Sequence, residues 1–261
     1  MACFVPFNNR NLDISFFVFR PTVVLVEELV DALKDFSACT ETLGCVNCSI
    51  FRSIHGNLII WYAAWMKRSR ENKEMLISSL LQMLKSLSNK GVLVEYRFVD
   101  AYAGESKEGF CVAKFYTGDV ICLNVATSTA GDLNDVSYAN LAIFKDRFWK
   151  MEGAVSGVCL KLQDMPAVSC LYVWKSLQHC YSWILNADHR KTMVPYLDRF
   201  KLDIKYDIFR VVYVSTEAAL SWHSNSTSPA LTLASEGESK EQRQRRGRSI
   251  ESYKGSLGLA S

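Results

Sequence analysis

At 261 residues, 49% of them hydrophobic and 12% aromatic, the chain suits one large domain or two small ones with a sizeable core. Thirty Lys and Arg against 27 Asp and Glu leave a formal charge of +3, too small an excess to select nucleic acid as a partner. Nine cysteines are far fewer than the roughly 8–10% that marks a disulfide scaffold. Cys48, Cys111, Cys122, Cys159 and Cys170 lie inside apolar runs, which points to a reducing, intracellular setting, cytoplasmic or nuclear.

The N-terminal stretch lacks the charge and uninterrupted apolar run of a signal peptide. The greasiest stretch, 167–185, carries Lys175 near its middle, which argues against a membrane span. Ala2–Pro6 and Leu12–Arg20 read as short strands. From Leu25, the residues Leu25, Leu29, Leu33 and Phe36 recur at helical spacing with Glu27, Glu28, Asp31 and Lys34 opposite, the pattern of an amphipathic helix. A hairpin turning at His55-Gly56-Asn57 follows. Before the turn Val46, Cys48 and Ile50 alternate with Asn47, Ser49 and Phe51; after it Leu58–Met66 is apolar throughout, as in a central strand covered on both faces. Glu71–Leu87 is the cleanest helix, with Leu76, Leu80, Leu84 and Leu87 on one side.

Val92–Val99 alternates, with Val94, Tyr96 and Phe98 inward and Glu95 and Arg97 outward. A polar loop, Asp100–Gly109, separates it from strands at Phe110–Tyr116 and Val120–Ala126. A helix over Asp135–Trp149 and a strand over Val155–Leu162 come next. The length of SCLYVWKSLQHCYSWILN favours a buried helix, Pro195 suits a short helix through Arg199, and Lys201–Ser215 alternates as a strand whose first half is half exposed. From 216 onward Ser, Thr, Glu and Gln dominate, so 216–261 reads as a disordered tail behind a single α/β domain over 1–215, with a sub-boundary near 151–155 as an option.

The element order from Leu25 resembles roadblock, longin and profilin-type modules. That likeness implies an α+β fold, a central antiparallel sheet flanked by helices. The alternative is a ferredoxin-like unit that takes Leu12–Arg20 as its first strand and Val92–Val99 as its fourth. The blocks FVPFNNRNLDISFFVFRPTVV, IFRSIHGNLIIWY, DAYAGES, CLYVWKSLQHCYSWILN and KYDIFRVVYVS, spread over residues 1–215, resemble an uncharacterised plant-specific protein family. That resemblance brings no activity, cofactor or catalytic residue with it.

Candidate chemistry is sparse. Cys45-Val46-Asn47-Cys48 is a lone Cys-x-x-Cys in a strand pattern with no second pair, so neither a zinc site nor a thioredoxin-type site is expected. In 153–157 the serine comes one position too late for a nucleophile elbow, and His179-Cys180 point apart on a helix. No catalytic residue, metal or cofactor is assigned. The Asp100–Gly109 connection, with Asp100, Tyr102 and Glu105, is the best candidate interaction surface. Arg243, Arg245, Arg246 and Arg248 form a basic run that suits an import signal, with Ser249 placed for a basophilic kinase. The expectation is a non-enzymatic adaptor for another protein, self-association included, and no membrane. The alternative is a small-ligand sensor or enzyme using an aromatic pocket of Tyr172, Trp174, Tyr181 and Trp183.

Overall fold

A computed structural model describes residues 2–8, 11–128, 133–186, 191, 194, 195 and 202–215. The tail, with Arg243, Arg245, Arg246, Arg248 and Ser249, lies outside the described residues, as does most of the helix expected from Pro195. Among the described residues the strands are β1 (Cys3–Pro6), β2 (Leu12–Pro21), β3 (Cys45–Ser53), β4 (Ile59–Met66), β5 (Gly91–Ser106), β6 (Val112–Phe115), β7 (Val120–Ser128), β8 (Ala154–Leu162), β9 (Ala167–Trp174) and β10 (Leu202–Val214). The helices α1 (Val26–Thr40), α2 (Arg70–Leu84), α3 (Leu133–Phe148) and α4 (Leu177–Ile184) join strands of the barrel.

Eight strands close into an antiparallel barrel in the order β10-β3-β4-β2-β5-β8-β9-β7. This overturns the expected roadblock/longin-like open sheet. The reason lies in β10, which pairs with β7 over Leu202–Arg210 and with β3 over Phe209–Val214, so the eight-stranded sheet closes without a free edge. Residues on both sides of 151–155 contribute strands to the one barrel.

The barrel is built twice from the same plan. Residues 12–106 run β2-α1-β3-β4-α2-β5 with strand order β5-β2-β4-β3; residues 120–214 run β7-α3-β8-β9-α4-β10 with order β10-β7-β9-β8. Each order is that of a split βαβ, ferredoxin-like unit. The sequence raised this order for the first half only, and as a free-standing sheet rather than as half of a barrel.

Closure turns one face of each barrel strand to the lumen and the other outward, where the helices pack. On the outer face, α1 and α2 bury Leu29, Leu33, Phe36 and Leu80 against Phe17, Trp61 and Trp65. The Trp61 Nε1–H donates to Ser37 Oγ at 2.9 Å, and that hydroxyl donates to Leu33 O at 2.7 Å, which pins α1 to β4. Over the second half, Phe144 and Phe148 of α3 and Cys180 of α4 pack on Cys159, Cys170 and Trp174. The unbroken apolar run of β4 follows directly: Ile59, Trp61, Ala63 and Trp65 meet helices, while Ile60 and Tyr62 meet the lumen.

Two local expectations fail. The 169–186 segment is not one helix: β9 ends at Trp174 and α4 starts after its N-cap Ser176, whose side chain accepts from His179 N. Length favoured a helix because a strand and a short helix follow each other here without a turn signal between them. Asp100–Ser106 is not a loop but the second half of β5, paired with β8 from Val99↔Leu162 to Ser106↔Ser156. Its polar residues alternate along a strand that a bulge between Ala101 and Ala103 bends around the barrel.

Candidate functional site

One end of the lumen is corked. The β1–β6 ribbon, antiparallel from Cys3↔Phe115 to Pro6↔Val112, lies across it. Phe115 packs edge-on against Phe51 at 5.4 Å and Tyr62 at 5.9 Å, and the Tyr62 hydroxyl donates to Phe4 O at 2.7 Å. The Cys3 thiol donates to Asn47 Oδ1 at 2.9 Å, and the Phe7 ring lies against Gly104 where any Cβ would collide with it. Desolvation inside this cork pushes the Cys3 thiol and the Tyr62 hydroxyl well above their ordinary values, so both stay protonated.

Toward the other end the lumen opens into a cavity of about 480 Å³. Its wall is apolar: Phe16, Ile60, Val99, Leu123, Leu160 and Phe209 are among the residues that line it. Four charges stand at its mouth, Glu95 and Arg97 on β5 and Lys205 and Asp207 on β10. Arg97 reaches Asp164 at 2.9 Å and Glu95 at 3.4 Å. Asp207 Oδ1 accepts from Ser53 Oγ at 3.0 Å and from Ile208 N at 2.8 Å, while Oδ2 makes no hydrogen bond among the described residues. The volume falls in the range of roughly 300–1,000 Å³ usual for small-molecule pockets, and the mix of apolar wall and few polar groups is typical of them.

Sequence reading missed these four residues because it took the lumen face of β5 and β10 for solvent-exposed surface. Glu95 and Arg97 do point away from Tyr96 and Phe98, but in a barrel the helix-covered side is the outside. The available signal was the shared alternation of charge, Glu95/Arg97 and Lys205/Asp207, each pair leading into apolar positions, Phe98 and Val99 on β5 and Ile208 and Phe209 on β10.

The residues singled out from the sequence lie elsewhere, and only the aromatic set is brought together, in the core beneath α3 and α4. Asp100 is exposed and accepts from Gln163 Nε2 at 3.0 Å. Tyr102 lies half-buried under α3, its hydroxyl donating to Ser137 O and accepting from Asn140 Nδ2 at 2.9 Å; burial drives its ionisation upward. Glu105 sits near the end of β5 opposite Gly157. Tyr172, Trp174 and Trp183 bound only a gap of about 30 Å³, while Tyr181 meets His55. That gap has room for one water, not a substrate, and Trp174 Nε1 is buried there with no partner among the described residues. His179 bonds its own helix cap, Nδ1 to Ser176 Oγ at 2.7 Å, while Cys180 belongs to the packed core beneath α4. Cys45 and Cys48 are buried free thiols on β3. Among the described residues, no group of three or more His, Cys, Asp or Glu is arranged to hold a metal ion, and no helix is long and apolar enough to cross a membrane.

Comparison with known proteins agrees with this geometry. A family model described as "Domain of unknown function (DUF7392)" matches residues 97–209. No curated protein matches the sequence. Among solved structures, an anthrone oxidase-like protein superposes with a TM-score of 0.64 at 12% identity, covering 82% of this chain and 96% of its own. A Fusobacterium nucleatum subsp. nucleatum protein described as a "putative monooxygenase" gives 0.58 at 8%, covering 79% and 95%. A heme-binding protein from Thermus thermophilus gives 0.50 at 6%, covering 86% and 97%. At such identities the likeness is one of fold. The adaptor expectation rested on roadblock-like order; the closed barrel, its cavity and these neighbours overturn it. Over residues 97–209 the chain is similar to a domain family whose function is not assigned, carried here on a barrel fold shared with oxidase- and monooxygenase-like proteins.

Proposed function

We propose that the barrel is a receptacle for a small, flat, largely apolar organic molecule that enters through the mouth bounded by β5 and β10. The observation that carries this is the cavity itself: about 480 Å³, walled by Phe16, Ile60, Leu160 and Phe209, corked at one end and open at the other. A packed structural core would fill that volume with side chains, since interiors leave few voids larger than a water molecule. The anthrone oxidase-like and monooxygenase-like neighbours support an aromatic ketone or phenol as the ligand type.

Calorimetric titration with 2-naphthol and with anthrone under nitrogen tests the reading. Saturable one-to-one binding is expected, lost in Val125→Trp, which places an indole in the lumen while leaving the helix-packed faces untouched. Binding that survives Val125→Trp with an unchanged melting temperature would move the site out of the barrel.

A further inference from the structure

The two halves of the barrel share a backbone plan, but at the mouth their charges are inverted. In the first half, β2 pairs with β5 so that Val18 faces Glu95 and Phe16 faces Arg97. In the second, β7 pairs with β10 so that Val125 faces Lys205 and Leu123 faces Asp207. The next strands keep the correspondence: Phe16↔Tyr62 and Val18↔Ile60 on one side, Leu123↔Leu171 and Val125↔Ser169 on the other. Glu95 therefore occupies the position equivalent to Lys205, and Arg97 the position equivalent to Asp207.

Strand order fixes where these positions lie. Going around the barrel, β5 and β10 are four strands apart in either direction, so they stand on opposite walls. Every pairing is antiparallel, and an even number of antiparallel steps makes β5 and β10 run the same way. Equivalent residues then sit at equal depth. The outer layer sets Glu95 against Lys205; the layer beneath it sets Arg97 against Asp207; below that come Val99 and Phe209, where the wall turns apolar.

The inner charged layer is poised for a ligand. Arg97 is held by Asp164, Glu95 and the Tyr96 carbonyl, yet a guanidinium carries five N–H donors, which three such contacts do not exhaust. Asp207 is held through Oδ1 alone, leaving Oδ2 as an acceptor at the edge of the apolar wall. A pseudo-symmetric cavity with like groups on both walls would take a ligand in two orientations. This one presents a donor on one wall and an acceptor on the other.

We infer that the cavity selects an asymmetric ligand. Its aromatic body lies between Phe16 and Phe209, a carboxylate or ketone meets Arg97, and a hydroxyl or amine donor at the far end meets Asp207. The charge inversion fixes a single orientation. This rests on the small-molecule reading above and names the ligand class for that same site.

Three rigid probes separate the possibilities: 6-hydroxy-2-naphthoate, which carries both groups, 2-naphthoate, which carries only the acceptor, and 2-naphthol, which carries only the donor. The bifunctional probe is expected to bind the unmodified protein about tenfold tighter than either of the others, the size of one charge-assisted hydrogen bond. Arg97→Gln is expected to erase the advantage of the carboxylate and leave 2-naphthol unchanged; Asp207→Asn, the advantage of the hydroxyl and leave 2-naphthoate unchanged. Equal affinities of the unmodified protein for all three probes would overturn the orientation while leaving the cavity as a binding site, and that comparison needs no variant to fold. Binding of none of them would overturn the small-molecule reading as well.

Discussion

Asp13 shows how one buried charge is made tolerable. Its side chain is 1% exposed, with Lys67 at 2.7 Å and Lys73 at 2.8 Å on the same oxygen and the Arg68 amide donating to the other at 3.2 Å. Burial pushes the carboxyl up, but the hydrogen bonds and charges of the two lysines outweigh it and hold it below its ordinary value. A group lowered in this way stabilises the fold fully above its unfolded value of about 3.9, and the contribution drains away as pH falls through the folded value. Asp13→Asn should therefore cost about 2–3 kcal/mol in urea unfolding at pH 7, with the gap to the unmodified protein closing below about pH 4. At Gly104, where the Phe7 ring leaves no room for a Cβ, Gly104→Ala should loosen the cork and cost about 1–3 kcal/mol in the same assay. Neither residue was marked by any sequence pattern, because each acts through partners more than fifty positions away.

Elements are held by a few polar links inside the apolar layers. Ser37→Ala removes the acceptor of the buried Trp61 indole and should cost about 1–3 kcal/mol by equilibrium unfolding. Adding Trp61→Phe to it should cost less than the two single changes summed, because the orphaned donor leaves with the indole. At this scale the sequence was largely readable. Leu29, Leu33 and Phe36 marked α1, Leu76, Leu80 and Leu84 marked α2, and the continuous run from Ile59 to Trp65 marked a strand covered twice. Reading failed where local signals compete. Apolar residues run from β9 into α4 across only Lys175 and Ser176, and the alternation at Asp100, Tyr102 and Glu105 looks like a loop unless β8 is known to lie alongside.

Closure of the barrel was not legible because no local pattern encodes it. It depends on β10 finding both β3 and β7, and on the polar faces of β5 and β10 meeting across a lumen instead of water. The same dependence predicts that neither half stands alone. Residues 12–106 expressed without the rest would leave β3 and β5 as open edges and expose the lumen wall. Such a fragment should pair with itself or precipitate; a well-folded monomer in sedimentation analysis would contradict that dependence. The cork ties together distant parts of the chain: its first strand, Cys3–Pro6, pairs with Val112–Phe115, more than a hundred positions on. Removing residues 2–8 would turn a cup into a pipe, and a bound molecule would then escape from either end. Its residence time should shorten far more than its entry rate changes, which stopped-flow displacement of 2-naphthol would reveal.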